Sequence, residues 1–415
     1  MELLTKKEDG ATVWTATDGR SVLGYVVVDS TIRGRSCGGL RMLPDVDEPE
    51  LRYLARSMTL KYGFLALPQG GAKAGIRGDP DAPLDQRRKL LVEFARVIAP
   101  LLRSKTFLPC ADMGTKGADI RYMLGSVGLP VPRRHLPGDA SGYYTALSVL
   151  AGAGQAARHL RFDLAGCTAA IEGFGSVGRP LANLLAGQGV KVVAISTSSG
   201  AIYDPKGLGV DRLERLAEEA GSAVVELYWR AERIDRAALL ELDVDLLCPC
   251  ARHHSIHEGN AARIAARAIC PGANNPLTEP AEVALTQRGV LCLPDFVTNC
   301  GGVLGGTMEF AAIAPRSIAA FIERHLAAAI GAILDQADRD RVPPRAVAEA
   351  MAMRRFDRVK HRAEHSLSSR LFGAAVGLYR CGLLPSRLVG ALAPYYFRRL
   401  PAFSGEGSHP YGWGP

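Results

Sequence analysis

The sequence predicts an α/β chain of two domains followed by helices, and three observations carry that expectation. At 415 residues it is too long for one ordinary core. From about Thr145 onward, strand-like and helix-like runs alternate, the pattern of a mostly parallel sheet covered on both faces. Between the first two of those strands lies GFGSVG, Gly173 to Gly178, a glycine turn that opens a helix.

Composition narrows the class. Hydrophobic residues make up 47% of the chain and charged residues 22%, the balance of a globular protein rather than a disordered one. No apolar run is read as long enough to span a bilayer, and MELLTKKEDG has acidic residues where a secretory signal has an apolar core. Nine cysteines are scattered without a C-x-x-C pair, which fits a reduced, cytoplasmic protein with no structural metal. The net charge of +8 comes from arginines spread along helical segments, without an aromatic-interleaved basic patch, so neither a nucleic-acid partner nor a membrane is expected.

Residues 12 to 30 carry short β-like runs such as SVLGYVVVDS. A helix is expected over EPELRYLARSMTLKYGFLAL, and another over residues 84–104, where apolar positions recur at three and four. Pro130, Pro132 and Pro137 interrupt the chain before GDASGYY and suggest a hinge. The second domain then reads strand (TAAIE), glycine turn, helix (VGRPLANLLAGQG) and strand (Val190–Ser196). VDLLCPC, ARAICPG and VLCLPDFV are further buried-strand candidates. After Gly302 the chain reads as helical to about residue 380, and its Gly- and Pro-rich tail as poorly ordered.

Two stretches carry chemistry. Glycines Gly173, Gly175 and Gly178 form G-x-G-x-x-G between a strand and a helix, where backbone amides at Ser176 and Val177 can meet a dinucleotide's pyrophosphate. An acid usually grips the adenosine ribose near the end of the second strand. Thr197 stands there instead, with Lys206 farther along, so the choice between NAD and NADP is open. The other stretch is LPQGGAKAGIRGDP, which sets Lys73 among glycines. A lysine packed that tightly loses hydration and is pushed toward neutrality, as an acid–base catalyst requires. The alternative is a glycine-rich turn with a solvated lysine.

MTLK at Met58–Lys61, CADMGT at Cys110–Thr115, GFGSVG, SSGAIYD, PGANNP and PDFVTNCGGV follow that stretch or precede it in a fixed order. On these motifs the chain resembles the glutamate/leucine/phenylalanine/valine dehydrogenases over roughly residues 20 to 365, and looks closer to their leucine/phenylalanine branch. The resemblance implies a substrate-binding and oligomerisation domain over 1–140 and a Rossmann-type dinucleotide-binding domain over 141–305. Helices over 306–380 would return toward the first domain, and 381–415 has no assigned role. It further implies reversible NAD- or NADP-dependent oxidative deamination of an L-amino acid by a homo-oligomer. Lys73 and Asp112 would be catalytic, and Lys61 would bind the substrate carboxylate. Gly39 and Cys37 would line the substrate site, while Thr145, Asn274 and Asn299 would approach the nicotinamide.

The chemistry asks for these residue types independently. Hydride loss from Cα leaves an iminium that water must attack. A lysine of lowered pKa can activate that water, helped by a second cation such as Lys61, and an aspartate can carry the proton of the amine. Where glutamate dehydrogenases usually hold a lysine for the side-chain carboxylate, GRSCGGLRM places Cys37. A thiol cannot pair with a buried carboxylate, which points to an apolar amino acid. Arg35 is the alternative anchor, which would keep glutamate as the substrate. CPCARHHSIHEGN departs from the family pattern, and His253 and His254 read as loop histidines beside the cofactor. Ser148 and the Tyr143–Tyr144 pair depart from it too.

Overall fold

The computed structural model describes residues 1–130, 140–366, 374–376, 378–379 and 382–398. Pro132 and Pro137 of the expected hinge, Cys381 and the C-terminal tail lie outside the described residues. The chain divides into two units. Unit 1 takes the described residues of Met1–Gly138, Gly306–Ile313 and Met351–Pro415, and unit 2 takes those of Asp139–Gly305 and Ala314–Ala350.

Unit 1 is built on a six-stranded mixed sheet: β1 (Glu2–Glu8), β2 (Ala11–Thr17), β3 (Val22–Val28), β4 (Ser36–Leu43), β5 (Gly70–Arg77) and β6 (Phe107–Ala111). Their spatial order is β1-β2-β3-β5-β4-β6. The first four neighbours pair antiparallel, while β4 runs parallel to both β5 and β6. Strand alternation gives this sheet two different faces. Leu40, Met42, Ala72, Ala74, Ile76 and Phe107 point into an apolar core shared with Leu91, Phe94 and Ile98 of α2 (Leu84–Arg103) and Ile120 and Met123 of α3 (Gly117–Ser126). The opposite face is covered by α1 (Glu48–Phe64), which Asp47 caps by accepting the Glu50 N–H.

The stretch read as a possible glycine turn is strand β5. Gly71 and Gly75 flank Lys73 at the period of two, so all three share the face under α1. A Cβ on Gly71 would strike the Thr59 backbone of α1, and one on Gly75 would strike Val46. The glycines let the helix and its entry loop lie directly against the strand.

Unit 2 begins with α4 (Ser141–His159) and carries a seven-stranded sheet: β7 (Thr168–Glu172), β8 (Lys191–Thr197), β9 (Gly200–Tyr203), β10 (Glu232–Ile234), β11 (Leu246–Pro249), β12 (Ala268–Ile269) and β13 (Leu291–Cys292). The order is β10-β9-β8-β7-β11-β12-β13, antiparallel at the β8, β9, β10 edge and parallel elsewhere. β7 has β8 on one side and β11 on the other, the switch point where doubly wound sheets bind ligands. Connecting helices are α5 (Gly178–Gly187), α6 (Val210–Ala220), α7 (Val224–Leu227), α8 (Arg236–Leu240) and α9 (Glu279–Gln287). The strand expected over VLCLPDFV stops after Cys292, because Pro294 caps a helix that Asp295 opens, α10 (Asp295–Thr298).

The helical region after Gly302 comprises α11 (Gly301–Phe310), α12 (Pro315–Asp340), α13 (Pro344–His365) and α14 (Ser386–Arg398). It does not stay together: residues 314–350 belong to unit 2, and residues from 351 to unit 1. Contrary to the sequence reading, α12 is long and apolar enough by length and composition to cross a bilayer. It packs against α4, and Ile318, Ile322, Leu326, Ile330 and Ile333 are buried, which explains an apolar helix without a membrane. In unit 1, Phe356 and Ala363 of α13 pack with Ile32, and Arg355 donates to the Phe64 carbonyl at 3.0 Å.

Candidate active site

The α1-facing side of the unit 1 sheet gathers charge in a row. Arg41, Lys73 and Asp112 come from β4, β5 and the end of β6. Lys73 is 3% exposed, and its Nζ lies 2.8 Å from Asp112 Oδ2. Arg41 Nε donates to the same carboxylate oxygen at 3.1 Å, and Arg41 Nη1 also pairs with Glu50 of α1. The backbone fixes the aspartate: its N–H donates to Thr115 Oγ1 at 3.0 Å, and that hydroxyl donates to the Leu40 carbonyl at 2.7 Å. Gly114 makes this tie with φ +76°, where any Cβ would strike the Met42 carbonyl. CADMGT is therefore a strand end and turn that pins a carboxylate beside β4.

Two lysine and arginine charges share one aspartate, with Glu50 as the second anion. Burial pushes the Lys73 ammonium below its ordinary value, Asp112 opposes that shift, and Arg41 adds to it. Arg41 is a neighbouring cation that lowers Lys73, beside the Lys61 that the sequence suggested. Burial alone would raise the Asp112 carboxyl, but Lys73 and Arg41 outweigh it and hold the group well below the usual carboxylate range. Lys61 lies in the last turn of α1 and is 5% exposed.

Gly39 sits between the partners. A Cβ there would come within 2.7 Å of Asp112 Cβ and 3.1 Å of Lys73 Nζ. Cys37, two residues earlier on the same face, has its sulfur 3.5 Å from that of Cys110. Burial and these two thiols push the Tyr62 hydroxyl well above its ordinary value, and Tyr62 hydrogen-bonds Cys37. Arg35, the alternative side-chain anchor, is exposed on the turn before β4.

Unit 2 holds the other candidates. Gly173 has φ +94°, and its N–H donates to Ser196 Oγ at 3.0 Å. A Cβ on Gly178 would strike the Gly173 carbonyl, so the third glycine lets α5 meet the strand end. A Cβ on Gly175 would meet nothing within 4 Å, which leaves its backbone open to a ligand. Those are the three roles of a dinucleotide fingerprint. Ser176 and Val177 complete the turn, and Gly142 of α4 packs against the Ser176 carbonyl. Thr145 Oγ1 donates to the Ser141 carbonyl at 2.9 Å. Asn299 Nδ2 donates to the Ala273 carbonyl at 2.8 Å and to Asn274 Oδ1 at 3.1 Å, bringing the two asparagines together. Among the described residues the buried Asn299 Oδ1 has no hydrogen-bond partner, and it is an acceptor that fits a carboxamide N–H of a nicotinamide.

Behind the asparagines, Asp295 Oδ2 accepts the Asn275 N–H at 3.0 Å, and Asp295 Oδ1 is held by Arg345 at 3.0 Å. Thr197 Oγ1 donates to the Ser222 carbonyl at 2.7 Å and accepts the Ser199 N–H at 3.1 Å. Lys206 is at the wrong end of β8 to help it: Gly207 approaches Lys191, and the Leu208 N–H donates to the Val192 carbonyl. His253 and His254 stack edge to face at 5.2 Å in the loop after β11, where the His254 N–H donates to the Asn275 carbonyl at 2.8 Å. Arg41 and Arg345 escaped the sequence reading. A signal for Arg41 was present, since Cys37, Gly39 and Arg41 alternate on one face of a strand.

Residues 140–364 match the family model described as Glutamate/Leucine/Phenylalanine/Valine dehydrogenase, and residues 11–128 match its dimerisation domain. A glutamate dehydrogenase of Thermotoga maritima is 37% identical, covering 69% of this chain and 72% of the relative. An NAD-specific glutamate dehydrogenase of Staphylococcus aureus is 34% identical, covering 73% of this chain and 74% of that one. Among solved structures, the hetero-hexameric glutamate dehydrogenase of Thermus thermophilus in its Leu-bound form superposes with a TM-score of 0.71 at 27% identity, covering 85% of this chain and 89% of that one. The L-tryptophan dehydrogenase of Nostoc punctiforme shares the fold, with a TM-score of 0.59 at 23% identity over 84% of this chain and 96% of that one.

Proposed function

The chain belongs to the glutamate/leucine/phenylalanine/valine dehydrogenase family, and from that premise we propose that it deaminates an apolar L-amino acid reversibly to the 2-oxo acid and ammonia. It is an NAD(P)-dependent amino-acid dehydrogenase. The observation that carries the chemistry is the buried Lys73–Asp112 pair at 2.8 Å with Arg41 against it. Unit 1 binds the amino acid in this reading and unit 2 the dinucleotide. The backbone at Gly173, Gly175, Ser176, Val177 and Gly178 takes the pyrophosphate, Thr197 faces the adenosine ribose, and Thr145, Asn274 and Asn299 meet the nicotinamide.

When bound, the nicotinamide accepts the hydride from the substrate Cα. Everything else is protein chemistry. Lys61 receives the substrate carboxylate as a fixed cation. Lys73, whose charged form burial and Arg41 disfavour, takes in its neutral form the proton from the water that attacks the iminium carbon. Asp112 relays the proton of the departing nitrogen, and Arg41 and the Thr115 turn keep its carboxylate in register.

The choice of an apolar substrate rests on Cys37. Its neighbours include the Cys110 thiol and the Tyr62 phenol, and a thiol in place of a lysine gives a substrate carboxylate no ion pair at that position, while Arg35 is exposed. The names of the relatives favour the second reading, glutamate. A panel of L-amino acids with NAD and NADP, read by the absorbance of the reduced nicotinamide, separates the two. Leucine, valine or phenylalanine should be used best; a preference for glutamate overturns the side-chain assignment. Burying Lys61 and Lys73, the second against a partly buried Asp112, is costly without catalysis to select for it, which argues against a silent dinucleotide-binding regulator. Assembly into a homo-oligomer is supported by the description of residues 11–128 as a dimerisation domain, and light scattering tests it.

A further inference from the structure

The antiparallel edge of the unit 2 sheet carries a feature that the dehydrogenase chemistry does not use. In the register of β8, β9 and β10, Thr197 lies opposite Gly200, and Ile202 lies opposite Arg233. Directly opposed residues share a face, as do residues two apart, so Thr197, Gly200 and Arg233 all lie on the same face. Gly200 has no side chain to fill the gap between the other two. An Arg233 guanidinium nitrogen stands 3.7 Å from where a Gly200 Cβ would be, and Val225 of α7 stands 3.8 Å from it.

Arg233 brings a cation to the notch. Arg233 is exposed, and among the described residues its guanidinium makes no hydrogen bond or ion pair. Glu232, its neighbour in β10, points to the other face by alternation. Glu226, beside Val225, forms no pair with it. At the turn the Thr197 hydroxyl donates to the Ser222 carbonyl at 2.7 Å and that of Ser199 to Ser222 Oγ at 3.3 Å, so among the described residues the exposed Ser198 hydroxyl is the one left to donate. A carboxylate at the position of Thr197 would bind a ribose diol and repel a phosphate; a threonine does neither. A planar guanidinium beside an open glycine turn is suited to a dianionic phosphate.

We propose that the enzyme takes NADP in preference to NAD, with the 2′-phosphate of the adenosine ribose held between the Thr197–Gly200 turn and the guanidinium of Arg233. The assignment rests on unit 2 being the dinucleotide site and gives that site its specificity. It departs from the NAD-specific name of one relative.

The test is binding, not turnover. Fluorescence titration of the full-length protein with NADPH and NADH should give a wild-type affinity at least about tenfold higher for NADPH, the worth of one charge-assisted contact. Arg233→Met should lose roughly that factor for NADPH and leave NADH unchanged, with Arg233→Lys recovering part of it. Thr197→Asp should reverse the order. Equal wild-type affinities, or an Arg233→Met variant that weakens both nucleotides alike, would overturn the proposal. Binding of neither nucleotide would sink the dinucleotide site itself, a different failure from loss of selectivity.

Discussion

Adjacent glycines in β4 should respond in opposite ways to the same added methyl. Gly39→Ala puts a carbon 2.7 Å from Asp112 Cβ, 3.0 Å from its Cγ and 3.1 Å from Lys73 Nζ. Carbon atoms rest at about 3.5–4.0 Å, so Asp112 must retreat by about 1 Å or push Lys73 aside. The side chains give way more easily than the strand, and Gly39 has no left-handed φ to strain. A displacement of that size in a reacting pair costs about a hundredfold in rate, or about 2.7 kcal/mol in the barrier. Gly38→Ala instead drives its carbon into the Ala72 carbonyl on the core side, where only backbone can move. That change should cost roughly 1–3 kcal/mol of stability, as overpacking does. Steady-state kinetics on the best amino acid, thermal melts and dinucleotide fluorescence separate the two. Gly39→Ala should lose kcat/KM with its Tm and dinucleotide affinity nearly unchanged, while Gly38→Ala should lose Tm. A Gly39→Ala enzyme with wild-type kcat/KM would refute the placement of the reacting groups around Gly39.

Lys73→Ala should abolish turnover and leave dinucleotide affinity nearly intact, measured by the same titration; most of kcat surviving would remove Lys73 from catalysis. Lys61→Ala should chiefly raise KM for the amino acid, and unchanged kinetics would exclude it from the site. Because the neutral lysine is the base, kcat/KM for deamination should rise with pH through a midpoint below the ordinary lysine value of 10.5. Arg41→Met removes a charge that lowers Lys73 and leaves Glu50, which raises it, so the rising limb should move to higher pH; a limb that stays put or moves lower contradicts the cluster. Cys37→Lys should narrow the gap between apolar amino acids and glutamate, tenfold in kcat/KM for each 1.4 kcal/mol or so of restored pairing. No change in the ratio would place the side-chain pocket elsewhere.

The dinucleotide turn was legible because its signal is local: strand, three glycines and helix lie within one stretch of chain. The reacting cluster was legible only in part. Lys73 and Asp112 stood out by motif, but the strand character of GGAKAGIR was hidden, since glycines read as breakers until a helix is seen to need their missing side chains. For Arg41 only the face was legible, by alternation with Cys37 and Gly39; its partners, Asp112 and Glu50, come from other elements, and only the register of β4 with β6 brings the first of them near. Arg233 could not be found from sequence spacing at all, because it lies 36 positions after Thr197 and meets the turn only through two antiparallel pairings. The apolar length of α12 was missed because Glu323, Arg324 and His325 interrupt the run, while burial against α4 and burial in lipid ask for the same residues.

The chain passes between its two units at 138/139, 305/306, 313/314 and 350/351. No single cut therefore releases either unit whole. A fragment ending at Gly305 would carry the full glycine turn and the seven-stranded sheet, yet leave the α4 face bare where α12 belongs, and would lack Arg345 beneath Asp295. Recombination that swaps substrate and dinucleotide modules between such enzymes would need matched junctions on both sides of residues 306–313 and 314–350. The sequence is laid out as an interleaved text rather than as two chapters, so under the roles proposed for Cys37 and Arg233 a change of preference is easier to reach through single residues than by exchanging domains.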